Sequence, residues 1–150
     1  MNVQQTTPSK IGLSVKRFLR IAGLHGFPEY LPFTDLGKDY KKGYCLNNCE
    51  LEHLETSCNV VYGWMIWELK KSSYIEAEFH SVVEVGAKLI DITPRIDGEE
   101  KILFIRDEFR EPKRANEHTW NTWSNIKSQR GKIIEHTKPI QIVDAATYGT

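Results

Sequence analysis

Three side chains with complementary chemistry follow one another in the middle of the chain: Cys45, His80 and Asp91. Cys45 follows Gly43-Tyr44 and opens a segment that suits a short helix, residues 45–57. A thiol at the start of a helix lies at the positive end of the helix dipole, and its pKa falls. A thiolate is an effective nucleophile when a base lies beside it and a third group orients the base. The order of these residues therefore predicts a nucleophile, a base and an orienting carboxylate.

The pairing of the base with the carboxylate depends on a hairpin between two predicted strands, residues 74–85 and 88–93. If Val85 and Gly86 form its two-residue turn, antiparallel register places His80 directly opposite Asp91. Opposed residues have Cβ atoms about 4.5–5.5 Å apart. A carboxylate at that distance accepts the imidazole N–H, fixes the tautomer and stabilises the charged ring. A three-residue turn would break this register.

The elements that carry these residues predict an α+β fold. Pro8-Ser9 opens an N-terminal helical pattern, and residues 45–57 form the Cys-bearing helix. Residues 119–126, which carry Trp120 and Trp123, are interpreted as a further short helix. These helices are expected to pack on an antiparallel sheet of four or five strands. The strands are predicted at residues 59–69, 74–85, 88–93 and 101–106, with one more within 133–143. We expect a single domain over residues 1–150, with residues 1–8 as a loose leader.

Composition limits the function further. The 20 Lys and Arg residues balance the 20 Asp and Glu residues, which argues against a general nucleic-acid binder. Hydrophobic residues make up 40% of the chain, which is enough to form a core. Residues 1–10 are polar, and no apolar stretch is long enough to span a bilayer. With three cysteines and no signal segment, we expect a cytoplasmic protein with free thiols, no membrane partner and no cofactor.

The stretch EAEFHSVVEVGAKLIDITP, residues 76–94, resembles the His and Asp strands of the papain-like and transglutaminase-like cysteine hydrolase superfamily. Residues 43–106, with GYC, YGWMIWE and IDITP, also resemble an uncharacterised bacterial family. The resemblance implies a papain-like or transglutaminase-like core and a Cys-His-Asp triad of Cys45, His80 and Asp91. Papain-like enzymes place a Gln before the Cys, and residues 36–44 contain none. The oxyanion hole would then use the Cys45 backbone N–H with Asn47, Asn48 or the Trp64 indole.

The function expected from these residues is that of a cysteine-dependent amide hydrolase or acyl transferase. It would be of the peptidase (thiol protease), amidase or deamidase type, acting on a peptide, a protein or a small amide. Two alternatives stay open. The first is a zinc-binding structural or interaction module, because Cys45, Cys49 and His53 recur on one helix face and His80 or Cys58 would complete four ligands. The second is a non-catalytic interaction protein on the same fold.

Overall fold

The computed structural model describes residues 5–95 and 98–143. Within these residues the helices are α1 (Leu13–Ile21) and α2 (Cys45–Thr56), with a short 3₁₀ helix at Lys70–Ser72. The strands are β1 (Pro28–Pro32), β2 (Asn59–Leu69), β3 (Tyr74–Val85), β4 (Lys88–Ile90), β5 (Lys101–Arg106), β6 (Lys113–Asn116), β7 (Thr119–Trp123), β8 (Ile126–Gln129), β9 (Lys132–Glu135) and β10 (Pro139–Val143).

Seven of these strands form one antiparallel sheet, and the other three form a second. The large sheet has the order β1-β5-β2-β3-β8-β9, with β4 also paired to β3, and the small sheet has the order β10-β7-β6. The described chain is therefore mostly antiparallel β, with two short α-helices. The prediction of an α+β fold, with helices packed on four or five strands around a papain-like or transglutaminase-like core, is wrong.

The error arises from short strands that carry little pattern of their own. Trp120 and Trp123 are spaced as on a helix, yet they lie in strand β7. There Trp120 and Thr122 are buried and Asn121 is exposed, which is the alternation of a strand. Pairing with β6 and β10 supplies the backbone hydrogen bonds, and aromatic and β-branched residues favour this conformation.

Both faces of the large sheet are buried. Helix α1 covers the outer face, where Phe18 of the helix packs in one cluster with Trp64 and Phe79. The inner-face cluster consists of residues from β1, β2, β3 and β5 of this same sheet: Leu31, Val61, Met65, Val82, Ile102 and Phe104. Because these side chains bury one another, the sheet must curl around them. A bridge between Phe33, after β1, and Asp91, after β4, brings the two ends of the curl together.

Strand β3 has an interrupted edge on the side away from β2. Strand β4 pairs with residues 83–85 and β8 with residues 74–77, so no described strand pairs with residues 78–82 there. Helix α2 packs beside this gap through Cys49, which contacts the cluster of Val83 and Ile92 on the outer face. His80 belongs to the inner face with Val82, and the gap lets the start of α2 reach it.

The β3–β4 hairpin differs from the predicted one. The observed pairs include Val85 with Lys88, so the turn residues are Gly86 and Ala87, and His80 is not directly opposite Asp91. Gly86 has a φ of 64°, and positive φ at the first central residue alone is the pattern of a type II′ turn, which favours glycine at that position. The register moves by an even number of residues, which keeps every side chain on its face. Asp91 therefore lies diagonally across from His80 and still reaches it.

The N-terminal segment is also more ordered than expected. Residues 1–4 of the predicted leader lie outside the described residues. Thr6 exchanges two backbone hydrogen bonds with Glu68, at 2.9 and 2.8 Å. The Thr7 N–H donates to the Glu99 carboxylate, so residues 5–8 are not loose. Helix α1 begins at Leu13 rather than near Ser9.

Candidate active site

Cys45 is the first residue of α2, and its free thiol is half-buried. Neither a side-chain cap from Tyr44 nor an acidic residue in the first turn neutralises this helix end. The first backbone N–H groups of a helix have no acceptor within the helix, so they and the dipole favour a negative charge there. The Ser81 backbone, at the edge of the gap in β3, lies near the Cys45 sulfur and lowers the pKa of the thiol. The position therefore favours a thiolate.

The structure brings Cys45, His80 and Asp91 together. The His80 Nε2 atom lies 2.9 Å from Asp91 Oδ1. The Cys45 thiol lines the same cleft as His80, close enough for each group to shift the pKa of the other. Because Nε2 faces the carboxylate, Nδ1 is the ring nitrogen left for the sulfur. The His80 and Asp91 residues are 2% and 0% exposed, so their pairing takes place away from water.

The charges in this chain support one another. Burial raises the pKa of Cys45, but the neighbouring charge of His80 and the polar groups of His80 and Ser81 outweigh it, so the pKa lies below that of an ordinary thiol. Burial lowers the pKa of His80, but the charges and hydrogen bonds of Asp91 and Cys45 raise it well above its ordinary value. Each group therefore favours the charged form of the other.

Asp91 is held by its backbone as well as by its side chain. Its N–H donates to Pro32 O at 3.1 Å, and its carbonyl accepts from Thr34 N at 2.8 Å. The carboxylate Oδ1 also accepts from Thr93 N at 3.4 Å. Oδ2 is buried and makes no hydrogen bond within residues 5–95 and 98–143. The imidazolium of His80 is therefore the charge that balances Asp91.

Asn48 has a different role from the predicted oxyanion donor. It is buried, and its Nδ2 atom donates to Thr93 Oγ1 and to Lys41 O, both at 3.0 Å. Because the Thr93 N–H contacts the Asp91 carboxylate, Asn48 connects the nucleophile's helix to the carboxylate's segment. It is a positioning residue in this arrangement.

The loop before Cys45 is fixed to the same helix. The buried Glu52 carboxylate accepts hydrogen bonds from Lys38 and from the Tyr40 hydroxyl. Burial raises the pKa of Glu52, but these two donors outweigh it and hold the pKa below its usual value. These hydrogen bonds attach the loop that leads to Gly43 and Cys45 to helix α2.

Trp64 does not belong to the site. Its residue lies on the outer face of the sheet, opposite to His80, and is 0% exposed. The indole N–H donates to Asp107 Oδ2 at 2.9 Å. The expectation that Trp64 contributes to an oxyanion hole or binds substrate is corrected, because alternation along β2 directs the side chain away from Cys45.

A cleft of about 110 Å³ opens beside the thiol. Its walls come from β2, β3, the start of α2 and the segment after β4: Gly43, Cys45, Met65, Trp67, Glu78, His80, Thr93, Pro94 and Arg95. Within it, the Arg95 guanidinium lies over the Trp67 ring, 4.4 Å from its centroid. A second recess of about 30 Å³ lies on the other side of Cys45. Two larger recesses, of about 420 and 510 Å³, are not lined by Cys45, His80 or Asp91.

Sequence reasoning gave no site role to Ser81, Trp67 or Arg95. Ser81 follows His80 directly, but only the gap in β3 lets helix α2 bring the Cys45 thiol near its backbone. Trp67 and Met65 are two residues apart on β2 and share its inner face, so strand alternation could have placed Trp67 near the site. Arg95 lies in a segment expected to be a polar turn, and nothing in its local sequence indicates a place in the site.

The residues proposed as zinc ligands are not arranged for metal binding. Cys49 is 0% exposed, and burial raises the pKa of its thiol well above the ordinary value. The His53 Nδ1 atom lies 2.7 Å from the carbonyl oxygen of Cys58, at the end of the helix. In the described part of the chain no group of three or more His, Cys, Asp and Glu side chains is placed to hold a metal ion. The zinc alternative therefore gains no support.

Comparison with protein-family models, with curated proteins and with solved structures finds no match for this chain. The resemblance to cysteine hydrolases thus depends on the residues quoted for it, and its catalytic part stays a prediction. Neither described α-helix has the length and apolar character needed to cross a membrane.

Proposed function

We propose that the protein is a cysteine-dependent amide hydrolase or acyl transferase that uses Cys45, His80 and Asp91. The observation that carries the proposal is the buried His80–Asp91 pair beside the Cys45 thiol, which lies in the same cleft as His80 and at an uncapped helix start. A thiol with a purely structural role needs neither a protonated base nor a helix dipole beside it. A nucleophilic thiol uses such neighbours to stay ionised at neutral pH.

The chemistry follows from the geometry. The Cys45 thiolate attacks the carbonyl carbon, and the C–S bond forms as the π electrons move to oxygen. The backbone N–H groups of Cys45 and Leu46, which have no acceptor within the helix, are the proposed donors to this oxyanion. The His80 imidazolium gives its proton to the leaving nitrogen as the C–N bond breaks, while Asp91 holds the ring. Water or an amine, deprotonated by His80, then releases the acyl group from sulfur.

The second oxyanion donor differs from those predicted. Asn48 and Trp64 are engaged elsewhere, as described above. The Asn47 side-chain oxygen accepts from the Trp120 indole N–H at 2.7 Å, and Asn47 lines the small recess together with Cys45. Asn47 is therefore the side-chain donor that this proposal retains.

A peptide, a protein side chain or a small amide fits the proposed reaction. We also infer a reducing, cytoplasmic setting, because Cys45, Cys49 and Cys58 are all free thiols. This agrees with the compartments in which cysteines stay reduced.

The test is the pH dependence of thiol alkylation. Iodoacetamide labelling followed by peptide mass spectrometry gives a separate rate for each cysteine. We expect Cys45 to react well below the pH at which an ordinary thiol reacts, and Cys49 to stay unlabelled in the folded protein because it is fully buried. Cys58→Ser is the matched control and keeps the fast site, whereas Cys45→Ser removes it. Equal, slow labelling of Cys45 and Cys58 would refute the proposal.

A further inference from the structure

Cys45 lies where two recesses of different composition meet. Gly43 and Cys45 line both. The larger recess also contains His80, and the smaller one contains no part of the His80 ring but is lined by Trp120 and Ile142. A substrate bound at the sulfur therefore has one portion on the His80 side and one portion away from it.

The reaction itself decides which portion goes where. The group that protonates a leaving nitrogen must lie within hydrogen-bond distance of it. His80 is the base of the proposed mechanism, and of the two recesses that meet at Cys45 it lines the larger one. The nitrogen of the scissile amide must therefore enter that recess, and the carbonyl carbon's other substituent extends toward Trp120 and Ile142.

We propose that the recess of Met65, Trp67 and Pro94 binds the amine portion of an N-substituted amide, and that Trp120 and Ile142 contact the acyl portion. This inference rests on the proposed function. The volume of about 110 Å³ is far below the roughly 300–1,000 Å³ of sites for drug-sized ligands, so it holds about one side chain. Met65, Trp67 and Pro94 supply its apolar surface, and Glu78 and Arg95 add charged groups to the lining. The Arg95 guanidinium lies 4.4 Å from the Trp67 ring centroid, and its Nη1 atom lies 2.8 Å from Met65 Sδ. The substrate class is a peptide-like amide whose amine portion carries one apolar side chain.

The acyl-enzyme can be formed without knowledge of the natural acyl group. With p-nitrophenyl acetate, the Cys45 thiolate attacks the ester carbonyl, the C–S bond forms and p-nitrophenolate leaves. An added amine then attacks the thioester, the C–N bond forms, the C–S bond breaks, and the proton lost by nitrogen returns to the thiolate through His80. The products are the N-acetyl amine and free Cys45. Water gives acetate in the competing reaction.

The experiment measures how the acetyl-enzyme divides between water and an amine. We expect capture by leucinamide to saturate with its concentration, as binding in a recess requires. We expect its efficiency to exceed that of glycinamide about tenfold, the discrimination typical of an apolar pocket. Because this comparison uses the wild-type protein, it does not depend on the folding of any variant.

Two variants then assign the recess. Trp67→Leu is expected to reduce the preference for leucinamide over glycinamide severalfold. Ile142→Ala, on the other side of Cys45, should leave that preference unchanged. Thermal unfolding of both variants identifies any general loss of structure.

The outcomes distinguish a failure of the proposed function from a failure of this inference alone. Absence of a p-nitrophenolate burst that requires Cys45 would refute the proposed function and this inference with it. A burst followed by amine capture that is not saturable, or that follows amine basicity alone, would overturn the inference only. A preference that changes with Ile142→Ala and not with Trp67→Leu would also overturn it.

Discussion

The substitution Asp91→Asn most directly tests the relay, in which Asp91 keeps His80 charged and His80 stabilises the Cys45 thiolate. Asparagine keeps the shape of the side chain and an oxygen that can accept from His80, but it removes the negative charge. The His80 Nε2 atom lies 2.9 Å from Asp91 Oδ1, and both groups are buried. Without the carboxylate, burial favours the neutral imidazole, and the thiolate of Cys45 loses its counter-charge. We therefore expect Cys45 to become an ordinary or weaker nucleophile.

The structure sets the size of the effect. At an effective dielectric constant of about 20, two unit charges separated by 2.9 Å attract by roughly 5–6 kcal/mol. Desolvation offsets much of this, and removing one partner of a buried pair typically costs about 3–5 kcal/mol. His80 recovers part of that cost because it can lose its proton. We expect the free energy of unfolding to fall by about 1–3 kcal/mol. Each 1.4 kcal/mol lost from the charged pair lowers the thiolate population about tenfold.

Alkylation by iodoacetamide measures the result. At about pH 6, where an ordinary thiol is protonated, we expect the Cys45 rate in Asp91→Asn to fall at least about tenfold below wild type. At high pH the two rates should converge, because the thiolate then forms without help. The matched control is Asp107→Asn, the same change at a buried carboxylate on the outer face that binds Trp64. It should lower stability and leave the pH profile of Cys45 unchanged. Identical profiles for Asp91→Asn and wild type would refute the relay.

Four further outcomes follow. His80→Gln should lower the free energy of unfolding most below about pH 6.5. The decrease should vanish as the pH rises through the folded-state pKa of His80, which is raised, and urea unfolding across pH measures it. In Glu52→Gln the stability lost should be full above about pH 4.5 and should vanish as pH falls through the lowered folded pKa of Glu52, in the same assay. Asn48→Ala leaves buried partners unsatisfied and should cost about 1–3 kcal/mol and slow Cys45 alkylation, whereas unchanged alkylation would remove its positioning role. Gly63→Ala places a Cβ against the Ile105 carbonyl and 2.9 Å from Arg106 Cα, and should cost about 1–3 kcal/mol in urea unfolding.

The long elements of the fold were predictable because their pattern is strong. Strands β2, β3 and β5 were expected with the bounds that the structure has, since apolar or alternating runs bounded by turn residues favour a strand. Helix α2 begins at Cys45 as expected. The short strands β1, β6, β7 and β8 were not predicted, and one strand was expected within 133–143, where β10 and most of β9 lie, because a few residues carry no reliable period. Their conformation depends on partners that are distant in sequence, such as β5 for β1.

The candidate site divides in the same way. The contact of His80 with Asp91 was expected from a hairpin whose register proved wrong, and it persists because an even shift keeps both side chains on the inner face. The contact of Cys45 with His80 has no such local cause. Asn48 is close to Cys45 in sequence, and Trp64 lies on β2, which pairs with the strand of His80. Only packing decides that Asn48 binds Thr93 and that Trp64 binds Asp107.

The sequence by itself determined which chemistry was possible: a thiol at a helix start and an imidazole and a carboxylate on one face of a hairpin. Local pattern fixes these placements because helix starts and strand alternation extend over neighbouring residues. The tertiary structure decided that the three groups meet. A helix packed on the outer face reaches an inner-face histidine only because β3 lacks a described strand partner at residues 78–82. That gap depends on where β4 ends and β8 begins to pair, which are long-range contacts that no local pattern records.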